Sequence, residues 1–275
     1  MSTRAMFRFL LLGAWTIGVV SVAFAQTEED QVKAVVDTLR QAIVKGDVES
    51  VGKAVSDSGF VALVGLTDET MCLSKTEFLA LLGNVGTGAE LQDLKVGVHW
   101  MVALVTGKVV PNGVPADQAL VFDAIMVREA GQWKFAGMCI CSEEREAKED
   151  EVKAFVDRVA ALPNSVKQGS ASVLDPVIHD QKFVLALVDP SLEFRWATSK
   201  TLLTQMLDTV IPMITVNESR LDVSRTVLGP SVAIVEGTWL LDITDFGQTN
   251  TTIRAYAVKV DGQWRIVAIG GGPAK

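Results

Sequence analysis

The chain has 275 residues, of which 49% are hydrophobic and 21% are charged, and its formal net charge at pH 7 is −8. This length is enough for one large domain or for two ordinary ones, each with a core of its own. The negative charge argues against nucleic acid as a partner, because binding a polyanion requires a basic surface.

The N-terminal 25 residues have the pattern of a signal peptide. Arg4 and Arg8 precede an apolar run over residues 9–22. The small residues Ala23 and Ala25 follow this run in the pattern that a signal peptidase recognises, so Gln26 is the expected new N-terminus. A membrane anchor is the alternative, but the run is short for a spanning helix. We therefore expect an exported protein, periplasmic or secreted, without a membrane segment after cleavage. Cleavage would remove two arginines and no acid, which changes the net charge from −8 to −10.

The rest of the chain contains five short patterns twice, in the same order. Residues 29–37 return as residues 149–157, which is 120 positions later, and the Gly-Gln-Trp turn at Gly131 returns at Gly262, which is 131 positions later. A spacing that only grows indicates one duplicated unit with small insertions in the loops of the second copy. The sequence therefore predicts two tandem domains of similar fold. Their predicted boundaries are residues 26–145 and 146–275.

Each copy is predicted to begin with helices. Apolar residues at helical spacing form one stripe in each opening helix: Val32, Val35, Val36, Leu39 and Ile43 in the first copy, and Val152, Phe155, Val156 and Val159 in the second. Asp47 can cap a short second helix in the first copy, and residues 173–178 take its place in the second. Ser74 begins a third helix and forms a capping box with Glu77, whereas the equivalent Ser199 keeps the cap and lacks the glutamate.

Strands dominate the remainder of each copy. A strand at residues 60–66 and a short one near residues 70–73 precede the third helix of the first copy. The later predicted strands are 91–99, 102–110, 118–128 and 132–141 in the first copy, and 220–227, 232–243, 249–260 and 263–269 in the second. This pattern predicts an α+β fold with two tandem cone-like domains, each with three helices packed on one face of a curved antiparallel sheet.

This order of elements resembles the nuclear transport factor 2-like superfamily, of the SnoaL-like type. The resemblance is carried by Lys45-Gly46-Asp47, the helix starts at Ser74 and Ser199, and the closing motifs Gly131-Gln132-Trp133-Lys134 and Gly262-Gln263-Trp264-Arg265. It covers nearly all of the mature chain, twice, and implies a cone whose mouth opens on a pocket, often with dimerisation through the sheet. The superfamily includes isomerases, dehydratases, cyclases, epoxide hydrolase-like enzymes and members that only bind.

The catalytic sets of such enzymes do not carry over to this chain. A pocket of the ketosteroid isomerase type pairs a tyrosine donor with aspartates, but the single tyrosine here, Tyr256, lies in the second copy. The dehydratase type needs paired histidines, whereas His99 and His179 fall at non-equivalent places in different copies. No Gly-rich phosphate-binding loop follows a predicted strand, so no cofactor is expected.

The second copy carries the richer set of polar groups on strands. Glu236 and Asp242 share one face of their predicted strand, while Arg254 and Tyr256 share a face of the next. If these faces lie inside the cone, Glu236, Arg254 and Tyr256 form the polar floor of a pocket. The alternative is a cross-strand salt bridge on a solvated face.

The two copies differ at these positions. The equivalents of Glu236 and Arg254 in the first copy are Thr106 and Asp123, which lack the opposite-charge pair. The second copy is therefore the better candidate for a working pocket.

Two further residues of the second copy are candidates. His179, beside Asp180 in a helix-to-strand connection, is either an acid–base group at a pocket rim or a solvated loop histidine. Trp239 could line a ligand pocket together with Arg254 and Tyr256, although tryptophans near such strands also complete cores.

The three cysteines are too few for a disulfide framework. A bridge from Cys72 to either Cys139 or Cys141 is permitted in an oxidising compartment, and the sequence leaves the choice open. Cys139 and Cys141 share a face of one predicted strand, and we interpret them as small core residues. With His99 they would match no familiar zinc spacing, so no metal is expected.

Three functional hypotheses follow. The first is an exported, non-catalytic protein that binds a small apolar or amphipathic molecule, or another protein. The second is a cofactor-free lyase, isomerase or hydrolase, with Glu236 or Asp242 as base and Tyr256 or His179 as donor. The third is a structural role in which the two domains pair within one chain and mimic a dimer.

Overall fold

The computed structural model describes residues 27–65, 70–82, 89–142, 149–160, 167–188, 194–244 and 247–274. The signal peptide predicted for residues 1–25 lies outside these ranges. Among the described residues, no helix is both long enough and apolar enough to cross a membrane.

The first copy combines helices and strands in the predicted order. Its elements are α1 (Glu28–Lys45), α2 (Val48–Ala54), β1 (Val61–Gly65), β2 (Thr70–Ser74), α3 (Lys75–Leu82), β3 (Ala89–His99), β4 (Val102–Pro111), a 3-10 helix (Ala116–Gln118), β5 (Leu120–Glu129) and β6 (Gln132–Cys141).

The second copy repeats the order of the strands and of the first and third helices, whereas its 3-10 helices lie at other places. Its elements are α4 (Glu149–Val159), a 3-10 helix (Ala171–Leu174), β7 (Val184–Val188), β8 (Phe194–Ala197), α5 (Lys200–Val210), a 3-10 helix (Ile211–Met213), β9 (Val216–Leu228), β10 (Val232–Ile243), β11 (Gly247–Val260) and β12 (Gln263–Pro273). The helix predicted over residues 173–178 is wrong, because the 3-10 helix ends at Leu174. Pro176 lacks the N–H that a continuing helix would need, and Ile178 already pairs with Ile266 of β12.

Each copy forms one six-stranded sheet, and the two sheets have the same strand order. The orders are β2-β1-β6-β5-β4-β3 and β8-β7-β12-β11-β10-β9. The strands are antiparallel except for β1 beside β6 and β7 beside β12, which run parallel. The predicted fold class, α+β with two tandem units, is confirmed, but each sheet is mixed rather than antiparallel. The reason is that β1, the first of the two strands before α3, and its equivalent β7 join the sheet beside the closing strand.

The predicted helix caps are present. Asp47 Oδ1 accepts a hydrogen bond from the backbone N–H of Ser50 at 3.0 Å, and α1 ends at Gly46 with a φ of 67°. The capping box forms as Ser74 donates its backbone N–H to Glu77 Oε2 at 2.7 Å and its hydroxyl to the same oxygen at 2.8 Å. Ser199 caps α5 by accepting from the N–H of Leu202 at 3.2 Å, without the second half of the box.

The closing hairpins turn as the sequence predicts. Ala130 and Gly131 have φ values of 48° and 81°, and Asp261 and Gly262 have 50° and 74°. Two successive positive φ values define the two-residue turn that matches the twist of a hairpin, and glycine at the second position accommodates it without strain. The hairpins place β5 beside β6 and β11 beside β12.

Buried apolar residues form three clusters. Two of them lie between the helices and the sheet of each copy, and they contain Trp133 and Trp264, each 4% exposed. These tryptophans are therefore core residues. The third cluster lies between the two sheets and joins residues of both copies, including Ile125 and Tyr256. One face of each sheet therefore packs on helices, and the opposite face packs on the other sheet.

The cysteines are free. Cys72 and Cys139 both pair with Leu63, from opposite sides of β1, so two strand spacings, about 9–10 Å, separate them. A disulfide needs Cα atoms within ~7 Å, which rules out this bridge without a backbone shift. Cys141 lies across β1 in the same way, opposite Gly65. Cys139 and Cys141 are buried in the cluster between the sheets, which confirms their interpretation as core residues.

Candidate functional site

A cleft of about 840 Å³ lies between the two copies. Strands β3 and β4 line it on one side, and β9, β10 and β11 line it on the other. Its charged lining residues are Asp93, Lys95, Lys108, Arg225, Glu236 and Arg254, and its larger aliphatic ones are Leu94, Val96 and Leu104. Four cations face two carboxylates here, although the chain as a whole is acidic. The volume is within the range of small-molecule sites, about 300–1,000 Å³.

A β-bulge in the edge strand β3 shapes the wall of the cleft. The register with β4 shifts between Gln92 and Lys95, and Asp93 has a φ of 56°. The bulge sets the Leu94 side chain over Gly107, where a Cβ would lie only 2.8 Å from Leu94 Cδ2. A Cβ at position 107 would also lie 3.0 Å from the backbone oxygen of Gln92, so glycine favours the close approach of the bulged strand to its neighbour.

Four charged residues form a continuous row between the two sheets. Arg254 Nη1 lies 3.0 Å from Asp123 Oδ1 and donates to the carbonyl oxygen of Val105 at 2.9 Å. Arg254 Nε donates to Glu236 Oε2 at 2.9 Å, and Arg225 Nη2 donates to Asp123 Oδ2 at 3.0 Å. The row therefore alternates in sign from Glu236 through Arg254 and Asp123 to Arg225.

The middle of the row is buried and its ends are partly exposed. The exposed fraction of the side chain is 0% for Asp123, 5% for Arg254, 26% for Glu236 and 33% for Arg225. Burial raises the pKa of Asp123 above its ordinary value, and the charges of Arg254 and Arg225 oppose that rise. Both arginines come from the second copy, so the buried carboxylate of the first copy is compensated by the second.

Arg225 is the member of the row best placed to meet a ligand. Its Nη1 and Nη2 donate to the two oxygens of Asp123 at 3.3 and 3.0 Å, which fixes the plane of the guanidinium. Within the described part of the chain, no hydrogen bond engages its Nε. Arg254 differs, because all three of its nitrogens already donate to Glu236 or to Val105.

The structure brings some of the predicted site residues together, but not inside the cone. Glu236 pairs with Arg254 across β10 and β11, and both line the cleft. Tyr256 is fully buried between the sheets, and within the described residues its hydroxyl has no hydrogen-bond partner. Burial raises the pKa of Tyr256 well above its ordinary value. The expected position inside the cone is wrong, because these residues point from the sheet face that packs on the other copy. The alternative of a solvated face is wrong for the same reason.

Two other candidates lie apart from this group. Trp239 is three residues beyond Glu236 along β10 and therefore points from the opposite face, where it packs on the helix-side cluster. Its Nε1 donates to Ser219 Oγ at 2.9 Å. Asp242 lies six residues from Glu236, about 20 Å along the strand, and accepts from Asn217 Nδ2 at 3.3 Å. Trp239, Arg254 and Tyr256 therefore do not line one pocket.

His179 lies in the connection before β7, as expected, and is half-buried. Its Nδ1 accepts hydrogen bonds from the backbone N–H groups of Gln181 and Lys182, both at 3.2 Å. Burial lowers its pKa, and the charge of Lys182 adds to this effect. Its neighbour Asp180 pairs with Lys200 at 2.9 Å. The imidazole thus stabilises the conformation of its own loop, and His179 does not line the cleft.

Sequence reasoning missed the contribution of the first copy to this site. Asp123 is the one charged residue in the apolar stretch 120–127 of β5, which is a signal that the side chain has a specific partner. Lys95 in the first copy and Arg225 in the second occupy equivalent positions. Lys95 lies opposite Thr106 on the neighbouring strand, and Arg225 lies opposite Glu236, which is the equivalent of Thr106. The resemblance implied pairing through the sheet, but nothing in the sequence indicated which residues would face each other, so these residues could not be connected. Within the described residues, no group of three or more His, Cys, Asp or Glu side chains could hold a metal ion.

No protein-family model matches the chain, and no curated protein matches it. Solved structures that resemble it include nuclear transport factor 2-like proteins from three bacteria. The protein from Shewanella baltica is 18% identical with a TM-score of 0.37, and the match covers 46% of this chain and 98% of that one. The protein from Silicibacter pomeroyi is 15% identical with a TM-score of 0.38, covering 46% and 99%. The protein from Salmonella enterica is 15% identical with a TM-score of 0.38, covering 47% and 95%. The likeness concerns the superfamily that the sequence motifs resemble, and at these scores it carries no argument about function.

Proposed function

We propose that this protein is an exported, non-catalytic binding protein that holds a small amphipathic molecule with an acidic group in the cleft between its two domains. Export is inferred from the signal-peptide pattern of residues 1–25. The observation that carries the binding proposal is Arg225, a cation on the cleft wall whose guanidinium is fixed by the buried carboxylate of Asp123.

The charges of the cleft favour an acid. Lys108 is paired with Asp93 at 2.9 Å, and Arg254 is held by Glu236 and Asp123. Lys95, which is exposed, and the Nε side of Arg225 remain as cationic groups for a ligand. A preorganised guanidinium binds a carboxylate strongly, because its side chain loses little further entropy when the ligand arrives.

The remaining lining favours an apolar segment next to the acid. Leu104, which belongs to the cluster between the sheets, supplies aliphatic surface on the side of the first copy. Gly97 leaves open space in the same wall, since a Cβ there would meet only His99 Nε2 at 3.6 Å. Apolar contact with a few placed polar groups is the usual composition of a small-molecule site.

The positions of the candidate acid–base groups support binding without chemistry. The carboxylate of Glu236 is engaged by Arg254, and Tyr256 is buried with a raised pKa. Asp242 and His179 do not line the cleft. General acid–base catalysis requires a donor and a base within hydrogen-bond reach of one substrate, which this arrangement does not provide.

Calorimetric titration with octanoate and octanamide tests the proposal. We expect octanoate to bind and octanamide to bind at least about ten-fold more weakly, since a hydrogen bond to a charged group contributes roughly 1.5–3 kcal/mol. Arg225→Gln should weaken octanoate binding by a similar factor. Gly97→Leu should weaken both ligands, because the side chain fills the cleft, and it should leave the thermal midpoint unchanged.

Arg220→Gln is the matched control. Arg220 lies on the same strand, is about half exposed, and pairs with Glu218 and Asp222 outside the cleft. It should bind octanoate as the unmodified protein does. Equal binding of octanoate and octanamide, or an equal loss in the two arginine variants, would contradict the proposed site.

A structural role is the second candidate, favoured by the apolar cluster that the two sheets share. In that case the cleft is a by-product of the pairing, and Gly97→Leu changes neither binding nor stability. Absence of octanoate binding, combined with a cooperative unfolding transition of both domains together, would favour this role.

A further inference from the structure

Asp123 and Arg254 occupy the same position in the two copies. Asp123 on β5 lies opposite Thr106 on β4, and Arg254 on β11 lies opposite Glu236 on β10. The two residues are 131 positions apart, the same spacing as between the two closing hairpin turns. Position 123 in the first domain and position 254 in the second are therefore one position of the ancestral unit.

The two sheets meet through equivalent surfaces. Strand β4 of the first copy contacts β7 of the second. Strand β10, the equivalent of β4, contacts β1, the equivalent of β7, in the same way. Gly137 and Ala268, which are again 131 positions apart, lie side by side, because a Cβ built on Gly137 would be 3.4 Å from that of Ala268. Such reciprocity describes an approximate two-fold axis, near which each residue faces its own equivalent.

At such an axis a pair of identical domains would bring identical charges together. Two copies of the first domain would bury Asp123 against Asp123, and they would lack Arg254 and Arg225, which both belong to the second domain. Two copies of the second domain would bury Arg254 against Arg254, each with only Glu236 of its own domain as a counter-charge. Juxtaposed like charges in a buried contact disfavour the complex strongly.

We propose that the Asp123–Arg254 pair is a selectivity device, which lets the sheet of each domain accept the other domain and reject a second copy of itself. The partner that this surface fits is the opposite domain of this chain. The partner that this surface excludes is the same domain of a second chain. This inference concerns the pairing of the domains and does not depend on the ligand proposed for the cleft.

The energetics of buried ion pairs support selectivity over stability as the role. The cost of desolvating two charges offsets most of their attraction, and apolar replacements of both partners are often neutral. A pair of first domains, in contrast, leaves Asp123 buried without compensation, and a pair of second domains loses the contact of Arg254 with Asp123. Discrimination of this kind acts by penalising the wrong complex.

A disulfide reporter at the axis tests the proposal in the full chain. The three native cysteines are replaced by alanine, and Ala268→Cys places a thiol where a second copy of the same domain would present its own. The Cβ separation at this point is close to that of a disulfide, about 3.5–4.5 Å. With the native charges we expect no disulfide-linked dimer under mild oxidation. With Asp123→Leu/Arg254→Met we expect dimers at ten-fold or higher yield on non-reducing gels.

The control removes an exposed ion pair of the same charges, Lys153→Met/Asp157→Leu on α4, and it should give no dimer. Equal dimer yields in the native and the Asp123→Leu/Arg254→Met backgrounds, whether high or low, would overturn the proposal. If that variant does not fold, Asp123→Asn/Arg254→Gln, which retains hydrogen-bonding groups, provides the same comparison.

Discussion

Replacement of Gly270 by alanine probes the packing of the two sheets directly. A Cβ at this position would lie 2.5 Å from Cγ2, 2.9 Å from Cγ1 and 3.1 Å from Cδ1 of Ile125 in the other domain. Both residues are buried, so the clash cannot be relieved into solvent. Overpacking of a core costs about 1–3 kcal/mol. We expect Gly270→Ala to lower the free energy of unfolding by about 2 kcal/mol.

The compensating change is Ile125→Ala, which removes all three atoms that would clash. Alone it should cost about 2–5 kcal/mol, because it leaves a cavity between the sheets. In the double variant the added methyl group occupies part of that cavity, so the combined loss should be about 1–3 kcal/mol smaller than the sum of the single losses. Urea unfolding followed by tryptophan fluorescence measures all three variants. Losses that add within ~0.5 kcal/mol would refute the contact between the domains.

Two further predictions concern a helix of the first domain and an ion pair between Glu77 of the first domain and Lys182 of the second. Gly52 lies inside α2, where a Cβ would meet only Leu79 Cδ1 at 3.6 Å, so Gly52→Ala should stabilise the protein by roughly 0.5–1 kcal/mol in urea unfolding; a loss would contradict the described packing. Lys182 and the cap at Ser74 lower the pKa of Glu77 from 4.5 to about 2. The charge of Glu77 therefore contributes stability above pH 4.5 that is lost as the pH falls towards 2. Scanning calorimetry should show a shallower decline of the thermal midpoint over this interval for Glu77→Gln, and an unchanged slope would contradict the ion pair.

The local features of the fold could be predicted because they depend on neighbouring residues. The caps at Ser74 and Ser199 need only a hydroxyl at the right distance from an N–H, and the turns at Gly131 and Gly262 need only a residue that tolerates positive φ. The duplication was visible for the same reason, since both copies retain these short patterns. The parallel pairing of β1 with β6 was missed, because no local signal states which strand a given strand will join.

The position of the candidate site could not be predicted, because the central strands bury both faces. Along β5, residues 122–127 are all buried, so the alternation that identifies an inward face disappears. Period-two spacing correctly placed Arg254 and Tyr256 on one face but could not say that this face meets a second sheet. A charge inside such an apolar strand was the remaining clue, and Asp123 became interpretable only beside Arg254.

The cleft itself shows what a duplicated chain can do that a symmetric dimer cannot. It lies across the approximate axis, where Lys95 is the equivalent of Arg225 and Thr106 is the equivalent of Glu236. A dimer of one domain would line this cleft with each residue twice, so that its two ends would be identical and suit a symmetric ligand. Divergence of the copies makes the ends different, with a fixed guanidinium on one wall and aliphatic surface on the other. An asymmetric lining of this kind matches a molecule with one acidic end. The two copies have also diverged to opposite charges at the equivalent positions Asp123 and Arg254. This difference disfavours pairs of identical domains, so the cleft forms only between the first and the second domain.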